Sequence, residues 1–289
     1  MKKSVIICTG AKFIGKKIAR KLKAEFSELQ VIKFPDNEID VKILKNVKGK
    51  EVILIQSFYG NLNDKIVETL FAGYTAKDLG AKKLKLVATY FPYFRKDKRF
   101  SSGECVSIKV IDKMFRVFDK IFVVNPHLHR IKKIKKALKN GVKISSIPEI
   151  SNYIKKLKIK DKFFIGPDIE SSQWAKQAAE LLDWDFSILR KIRYGSRKVK
   201  IKLPGEINIK EKNVIIIDDI ISSGHTMLQA IKELRKHKPK KVYCVGIHGV
   251  FVENALKKLQ KYSVVVSTNT IPSKASKIDL TNLIVKALK

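Results

Sequence analysis

Three cysteines in 289 residues, Cys8, Cys105 and Cys244, stand far apart, with no Cys-x-x-Cys pair and no His/Cys cluster beside them. Their scarcity and odd number exclude a disulfide framework and a structural zinc site, and make a reducing cytoplasm the expected setting. Long hydrophobic runs are missing too. No stretch approaches the roughly 20 apolar residues of a membrane span. The opening Met1-Lys2-Lys3-Ser4-Val5-Ile6-Ile7-Cys8 imitates a signal peptide, but its apolar part is short and runs into Thr9-Gly10 and then Lys16-Lys17. It reads as a first buried strand. Acidic residues are few, 27 against 61 lysines and arginines, for a formal charge of +34. A field of that sign attracts nucleotides and sugar phosphates. Only nine of the 61 are arginine, whose planar fork readers of bases and phosphates favour. The basic runs are also dispersed, so neither specific nucleic-acid binding nor a membrane partner is expected.

What is present is apolar material in regular blocks. Apolar residues make up 45% of the chain, enough for two cores, and the length suits two domains of roughly 140 residues each. Short β-rich runs alternate with longer stretches of helical period, which predicts an α/β fold with mostly parallel sheets flanked by helices. In the first half, residues 5–9, 52–56, 84–89 and 120–124 read as strands, and 14–26, 64–79 and 107–118 as helices. In the second half, 163–166, 187–192, 214–217, 242–246 and 264–266 read as strands. Residues 172–182, 225–236, 253–259 and the tail from 279 read as helices. The pattern restarts near 145–148, which predicts domains 1–146 and 147–289, two similar halves. Gly10 and Gly15 beside the first strand lack the Gly-x-Gly-x-x-Gly spacing and an acidic partner, so no dinucleotide site is read there.

The most specific stretch is Val214-Ile215-Ile216-Ile217-Asp218-Asp219-Ile220-Ile221-Ser222-Ser223-Gly224-His225-Thr226. A β-branched run ends in two carboxylates, then a Ser/Gly turn, then a helix. Ligands of open α/β sheets bind at the carboxyl ends of strands, where this turn would sit. Its backbone N–H groups, its hydroxyls and the helix N-terminus suit a phosphate monoester. Adjacent carboxylates suit ribose hydroxyls, directly or through Mg2+. A mere N-cap turn needs at most one aspartate. Phe34-Pro35-Asp36-Asn37-Glu38 lies between two apparent strands and has good turn chemistry. Tyr90-Phe91-Pro92-Tyr93-Phe94-Arg95-Lys96-Asp97-Lys98-Arg99 allows two readings, an exposed binding patch or core followed by a solvated loop. Asn125-Pro126-His127 follows one strand, and Gly166-Pro167-Asp168-Ile169-Glu170-Ser171-Ser172 follows another, with Ser171 or Ser172 available as a helix cap. Lys191-Ile192-Arg193 ends a further strand, where lysine and arginine often only guard an edge.

The aspartate-pair segment resembles the phosphoribosyl-diphosphate fingerprint shared by phosphoribosyltransferases and ribose-phosphate pyrophosphokinases. The other segments are similar to pyrophosphokinase motifs in the same order: Phe34–Glu38 to Phe-Pro-Asp-Gly-Glu, Tyr90–Arg99 to Pro-Tyr-x-x-Tyr-x-Arg-Gln-Asp-Lys, Asn125–His127 to Asp-x-His, then the Pro-Asp and Lys-x-Arg segments. His248–Phe251 and Thr268–Pro272 continue the match. Asn37, Lys96, Asn125 and the Ile169-Glu170-Ser171 insert depart from the usual Gly, Gln, Asp and Gly, the last in the manner of archaeal-type members. The resemblance implies two tandem type I phosphoribosyltransferase-like domains. It implies a Mg2+-assisted kinase that moves the β,γ-diphosphate of ATP to C1 of ribose 5-phosphate. Lys191 and Arg193 would then be catalytic. Phe34, Asp36, Glu38, Arg95, Lys96, Asp97 and His127 would bind ATP, with His127 and Asp168 on the metal. Asp218, Asp219, Ser222, Ser223, Gly224, His225 and Thr226 would bind ribose 5-phosphate. The Phe34–Glu38 loop would complete a neighbouring subunit's ATP site, which implies at least a dimer. Two rivals stand beside this expectation, a phosphoribosyltransferase and a non-catalytic regulatory paralogue.

Overall fold

The computed structural model of the protein describes residues 3–131, 133–157, 159–169, 171–194, 198–205 and 207–289, with the backbone alone at 191–194 and 198–200. It divides into two compact units, Met1–Ser145 with Thr281–Lys289, and Ser146–Leu280.

In the first unit the β-branched run at the start forms β1 (Ser4–Cys8), buried from its second residue onward, as a strand covered on both faces should be. α1 (Lys12–Leu22) buries Ile14, Ile18 and Ala19 against it. The helix expected over 14–26 stops at Leu22. Phe26 continues its four-residue spacing, yet Glu25 to Glu28 pair parallel with β1 as the start of β2 (Glu25–Lys33). Sheet pairing here overrides helical period. β3 (Ile39–Ile43) returns antiparallel to β2, with Lys33 opposite Ile39. There follow β4 (Glu51–Ser57), α2 (Leu62–Asp78), β5 (Lys83–Tyr90), α3 (Ser107–Met114), β6 (Lys120–Val124) and β7 (Gly141–Ile144). The sheet order is β3-β2-β1-β4-β5-β6-β7, parallel except for β2–β3. Its core is partly aromatic: Phe91 meets Phe58, Phe94 and Phe115 edge-on at 5.4–5.6 Å between ring centres.

The second unit opens with α4 (Ile147–Lys156), which carries Pro148 in its first turn, where a missing N–H costs nothing. β8 (Lys162–Gly166), α5 (Ser172–Leu182) and β9 (Phe186–Ile188) follow. β10 (Arg190–Tyr194) and β11 (Lys198–Lys202) form a separate antiparallel pair. The single strand expected over 187–192 is therefore two: Leu189 donates its N–H to the Gly166 carbonyl, and then the chain leaves the main sheet. β12 (Asn213–Ile221), α6 (His225–Lys236), β13 (Lys241–Gly249), α7 (Ala255–Gln260), β14 (Val264–Thr268) and β15 (Ser276–Ile278) complete the unit. Its sheet order is β15-β14-β13-β12-β8-β9, with every pair parallel.

The final helix, α8 (Thr281–Leu288), packs on α1 and β7 and buries Ile284, Val285 and Leu288. The last nine residues thus belong to the first unit, whereas the sequence expectation ran the second domain to residue 289. Helical period alone says that such a tail has an apolar face. It does not say which unit will cover it. Among the described residues no helix is long and apolar enough to cross a membrane.

Candidate active site

β12 lies inside its sheet, between β13 and β8, and carries Asp218 and Asp219 toward its carboxyl end. Asp219 is only 3% exposed. The Asp218 carboxylate accepts two hydrogen bonds on one oxygen, Oδ1, from the Ser171 hydroxyl at 2.7 Å and the Asp219 N–H at 2.9 Å. Burial, and then the charge of Asp219, push the Asp218 carboxyl up to about 7, against the pull of the Ser171 hydrogen bond; the Asp168 charge adds to the rise. Carboxylates crowded in this way favour a cation or a hydroxyl-rich ligand.

Past β12 the chain turns through Ser222, Ser223 and Gly224 into α6. Gly224 has φ 75°, and a Cβ there would stand 3.1 Å from that of Ala255. Both conformation and space therefore call for glycine. No side chain caps α6, and its first turn holds no acidic residue. Its first N–H groups and the positive end of the helix dipole are thus left for an anion. Ser223 Oγ lies 2.9 Å from His225 Nδ1. Ser222, Ser223, Gly224 and Thr226 are half-buried, and His225 is exposed. A single strand–turn–helix holds all seven expected ribose-phosphate residues.

Asp168 follows β8, which pairs with β12 at Ile165–Ile216. Asp168 and Asp218 therefore hang from adjacent strand ends. Asp168 Oδ1 accepts the Ser171 N–H at 3.0 Å. Ser172 donates its hydroxyl to the Ile169 carbonyl, and Ile169 itself is 80% exposed. Neither serine caps α5 through its side chain. The cap reading of this pair does not hold, because one hydroxyl is drawn to Asp218 and the other turns back to the preceding turn. Lys191 and Arg193 lie on β10, their backbones opposite Ile201 and Val199. Their side chains are outside what the structure describes.

The expected ATP residues sit on loops of the first unit. Phe34–Glu38 is the tip of the β2–β3 hairpin. The Phe34 N–H donates to the Glu38 carbonyl at 2.8 Å, the Glu38 N–H donates to Asp36 Oδ1 at 3.1 Å, and Asn37 takes φ 72°. Asparagine tolerates that conformation. All five residues are exposed, with Phe34 at 44%. In the segment after β5, Phe91 and Phe94 join the core while Arg95, Lys96, Lys98 and Arg99 face solvent. The aromatics are core, and the cations after them lie on a solvated loop, accessible to a ligand. The Asp97 side chain is 7% exposed and is gripped by Arg130 through Nε at 3.1 Å and Nη2 at 2.7 Å. Burial alone would raise the Asp97 carboxyl. The hydrogen bonds and charge of Arg130, helped by the charge of His127, hold it below its usual range instead. Arg130, Lys96 and Lys98 also stand over the exposed Phe100 ring at 5.3, 5.0 and 5.4 Å.

After β6, buried Asn125 takes φ 37°, and His127 Nδ1 lies 3.1 Å from His129 Nε2. The structure thus joins Asp97 to the loop that carries His127. It keeps the Phe34–Glu38 hairpin apart from that cluster, since β1 and β4 lie between β2 and β5 in the sheet. Arg130, His129 and the bridging role of Ser171 were not read from the sequence. Arg130 and His129 lie outside the quoted motifs, and Arg130 and Ser171 find partners 33 and 47 residues away.

Two family models cover most of the chain. Residues 4–118 match the N-terminal domain of ribose phosphate pyrophosphokinase, and residues 132–281 match the phosphoribosyl transferase domain. With the parallel sheets and the aspartate-pair turn, this defines a two-domain α/β protein of the phosphoribosyl transferase class. A phosphoribosylpyrophosphate synthetase crystal structure from Mycobacterium smegmatis shares the fold, with a TM-score of 0.86 over 99% of this chain and 98% of that one at 22% identity. Ribose-phosphate pyrophosphokinases of Pyrococcus abyssi and Pyrococcus furiosus are each 35% identical. The first alignment spans 99% of this chain and 98% of the relative, and the second 96% and 97%. The chain belongs to the ribose-phosphate pyrophosphokinase family.

Proposed function

We propose that the protein transfers the β,γ-diphosphate of ATP to C1 of ribose 5-phosphate, giving AMP and 5-phosphoribosyl 1-diphosphate. The observation that carries this reading is the β12–turn–α6 unit, where half-buried Asp218 and buried Asp219 precede an uncapped helix N-terminus. Ser222, Ser223, Gly224, His225 and Thr226 would hold the 5-phosphate, and Asp218 and Asp219 the ribose hydroxyls. Arg95, Lys96, Asp97 and His127 would bind ATP. The C1 hydroxyl oxygen bonds to the β-phosphorus, the bond from that phosphorus to the α,β-bridging oxygen breaks, and AMP leaves with that oxygen. The hydroxyl proton passes to water. Such a displacement needs alignment and charge neutralisation above all. Lys191 and Arg193 would supply fixed positive charge to the transferring group. The first domain thus provides the ATP loops, and the second the sugar-phosphate site and the catalytic strand.

Mg2+ is the metal of this reading, and the residues present fit it. Asp168, Asp218 and Asp219 offer hard oxygen ligands, and the rise of the Asp218 carboxyl is in part a repulsion that a dication relieves. His127 is the candidate ligand on the first unit. When bound, the ion neutralises phosphate charge. The exposed Phe34–Glu38 hairpin, set apart from β5, supports its use in a neighbour's ATP site and hence a homo-oligomer. Three free thiols agree with a cytoplasmic setting. The reading is tested by incubating the protein with Mg2+, ATP and ribose 5-phosphate and following nucleotides and sugar phosphates by chromatography. AMP and 5-phosphoribosyl 1-diphosphate should appear in equal amounts. Binding of both substrates without either product would point to the regulatory paralogue.

A further inference from the structure

We infer that Ser171 is a positioning residue for the ribose 5-phosphate site, tying the Asp168 turn to the Asp218 carboxylate so that both present a fixed geometry to the ligand. The inference rests on the site reading proposed above and adds a residue to it. Ser171 ends the turn between β8 and α5 and is 4% exposed. A serine just before a helix ordinarily accepts a backbone N–H of the first turn through its hydroxyl oxygen. α5 has no such bond. The hydroxyl is directed away from its own helix, to Asp218 Oδ1 at 2.7 Å, on the neighbouring strand's end. The backbone N–H of the same residue goes to Asp168 Oδ1 at 3.0 Å. One small residue thus donates to two carboxylates carried by adjacent parallel strands.

This arrangement answers a problem that the site creates for itself. Asp168, Asp218 and Asp219 are crowded acids, and the charges of Asp219 and Asp168 both disfavour ionisation of Asp218. Left alone, the two turns would spread apart or the carboxylates would rotate. Two donors from Ser171 oppose both movements. The Ser171 hydroxyl and the Asp219 N–H converge on the same oxygen of Asp218, which restrains rotation about its Cβ–Cγ bond. The start of α5 is held just as closely: a Cβ on Gly166 would lie 3.0 Å from the Ser172 Cα. The serine hydroxyl is the group that links the start of α5 to Asp218. Hydrogen bonds to a charged partner are the stronger kind, so the loss of this one should be measurable.

The test compares Ser171→Ala, Ser171→Thr and Asp218→Asn. Ser171→Ala should raise the KM for ribose 5-phosphate about 10-fold, keep kcat within about threefold, and leave the KM for ATP unchanged. Calorimetric titration of ribose 5-phosphate into the full-length protein with Mg2+ and without ATP should show the same roughly 10-fold loss of affinity. Ser171→Thr keeps the hydroxyl and should recover most of the affinity. If Asp218→Asn leaves sugar-phosphate binding intact, the site reading itself falls. If Asp218→Asn weakens binding while Ser171→Ala binds like the wild type, the site stands and the positioning role is overturned. A Ser171→Ala protein that loses kcat and both KM values together with helical signal also overturns it, since that is the mark of a helix-start residue.

Discussion

The two ends of the proposed chemistry are built on different plans. The sugar-phosphate end is contiguous, nine residues from Asp218 to Thr226 on one buried strand, one turn and one helix start. The ATP end is dispersed over the tip of an edge hairpin and loops after β5 and β6, and most of its groups are exposed. The first is fixed by local rules: a glycine that φ 75° and the closeness of Ala255 require, an uncapped helix, and carboxylates set side by side on one strand. The second is fixed by sheet order and by single long-range contacts such as Asp97–Arg130. A contiguous site tolerates drift in the rest of the chain as long as its own run of residues is kept. A dispersed one accumulates departures, and Asn37, Lys96 and Asn125 all lie on it.

The largest effect should come from Lys191→Ala and Arg193→Ala. Removal of a preorganised charge from the transition state should lower kcat by on the order of 10²-fold. Near-normal turnover in both variants would break the idea that this basic strand does the chemistry. Next in size, Gly224→Ala forces a side chain into a left-handed conformation 3.1 Å from Ala255. It should cost about 1–2 kcal/mol and raise the KM for ribose 5-phosphate roughly 10-fold, with no change in the KM for ATP. Equal damage to both KM values would dissolve the contrast between the two ends. Phe34→Ala should do the reverse: an increase of about threefold to tenfold in the KM for ATP and a melting temperature shifted by less than about 1 °C, since the hairpin tip is exposed. Mixing Phe34→Ala with Arg95→Ala protein should restore some activity if the hairpin serves a neighbour. No recovery would confine each ATP site to one chain.

The same contrast explains what the sequence made legible. The strand–turn–helix from Val214 was readable because β-branched residues, an aspartate pair and a Ser-Gly turn each carry a local signal. The Asn37 turn was readable for a similar reason. The helix expected through Phe26 was misread because Phe26 keeps a helical spacing after Leu22, while pairing with β1 decides its conformation. The tail helix showed its apolar face but not the unit that would cover it. Ser171 looked like a cap because capping is what serine does at such a position; its partner lies forty-seven residues away. Phe91 and Phe94, beside four cations, suit either core or an exposed patch by sequence, and the packing with Phe58 and Phe115 shows them to be core.

The smallest expected effect concerns Asp97 and Arg130, where the dispersed end has acquired a local tie of its own. Two guanidinium nitrogens hold a carboxylate that is nearly buried, and they join the loop after β5 to the loop that carries His127. Arg130 is itself half-exposed, so Arg130→Gln should cost only about 1 kcal/mol near neutral pH. The sign of the pH dependence follows from the Asp97 carboxyl, which the pair holds below its ordinary value of 3.8. A carboxyl lowered in the folded state contributes stability above its unfolded pKa and loses it as pH falls through the folded one. Urea midpoints of wild type and Arg130→Gln should therefore differ at neutral pH and converge in acid, below 3.8. If the two proteins also differ in their KM for ATP, the tie prepares the ATP loops for substrate, and the dispersed end is less loosely built than its exposure suggests. Parallel midpoints through the acid range would mean that Asp97 draws its stabilisation from elsewhere in the loop.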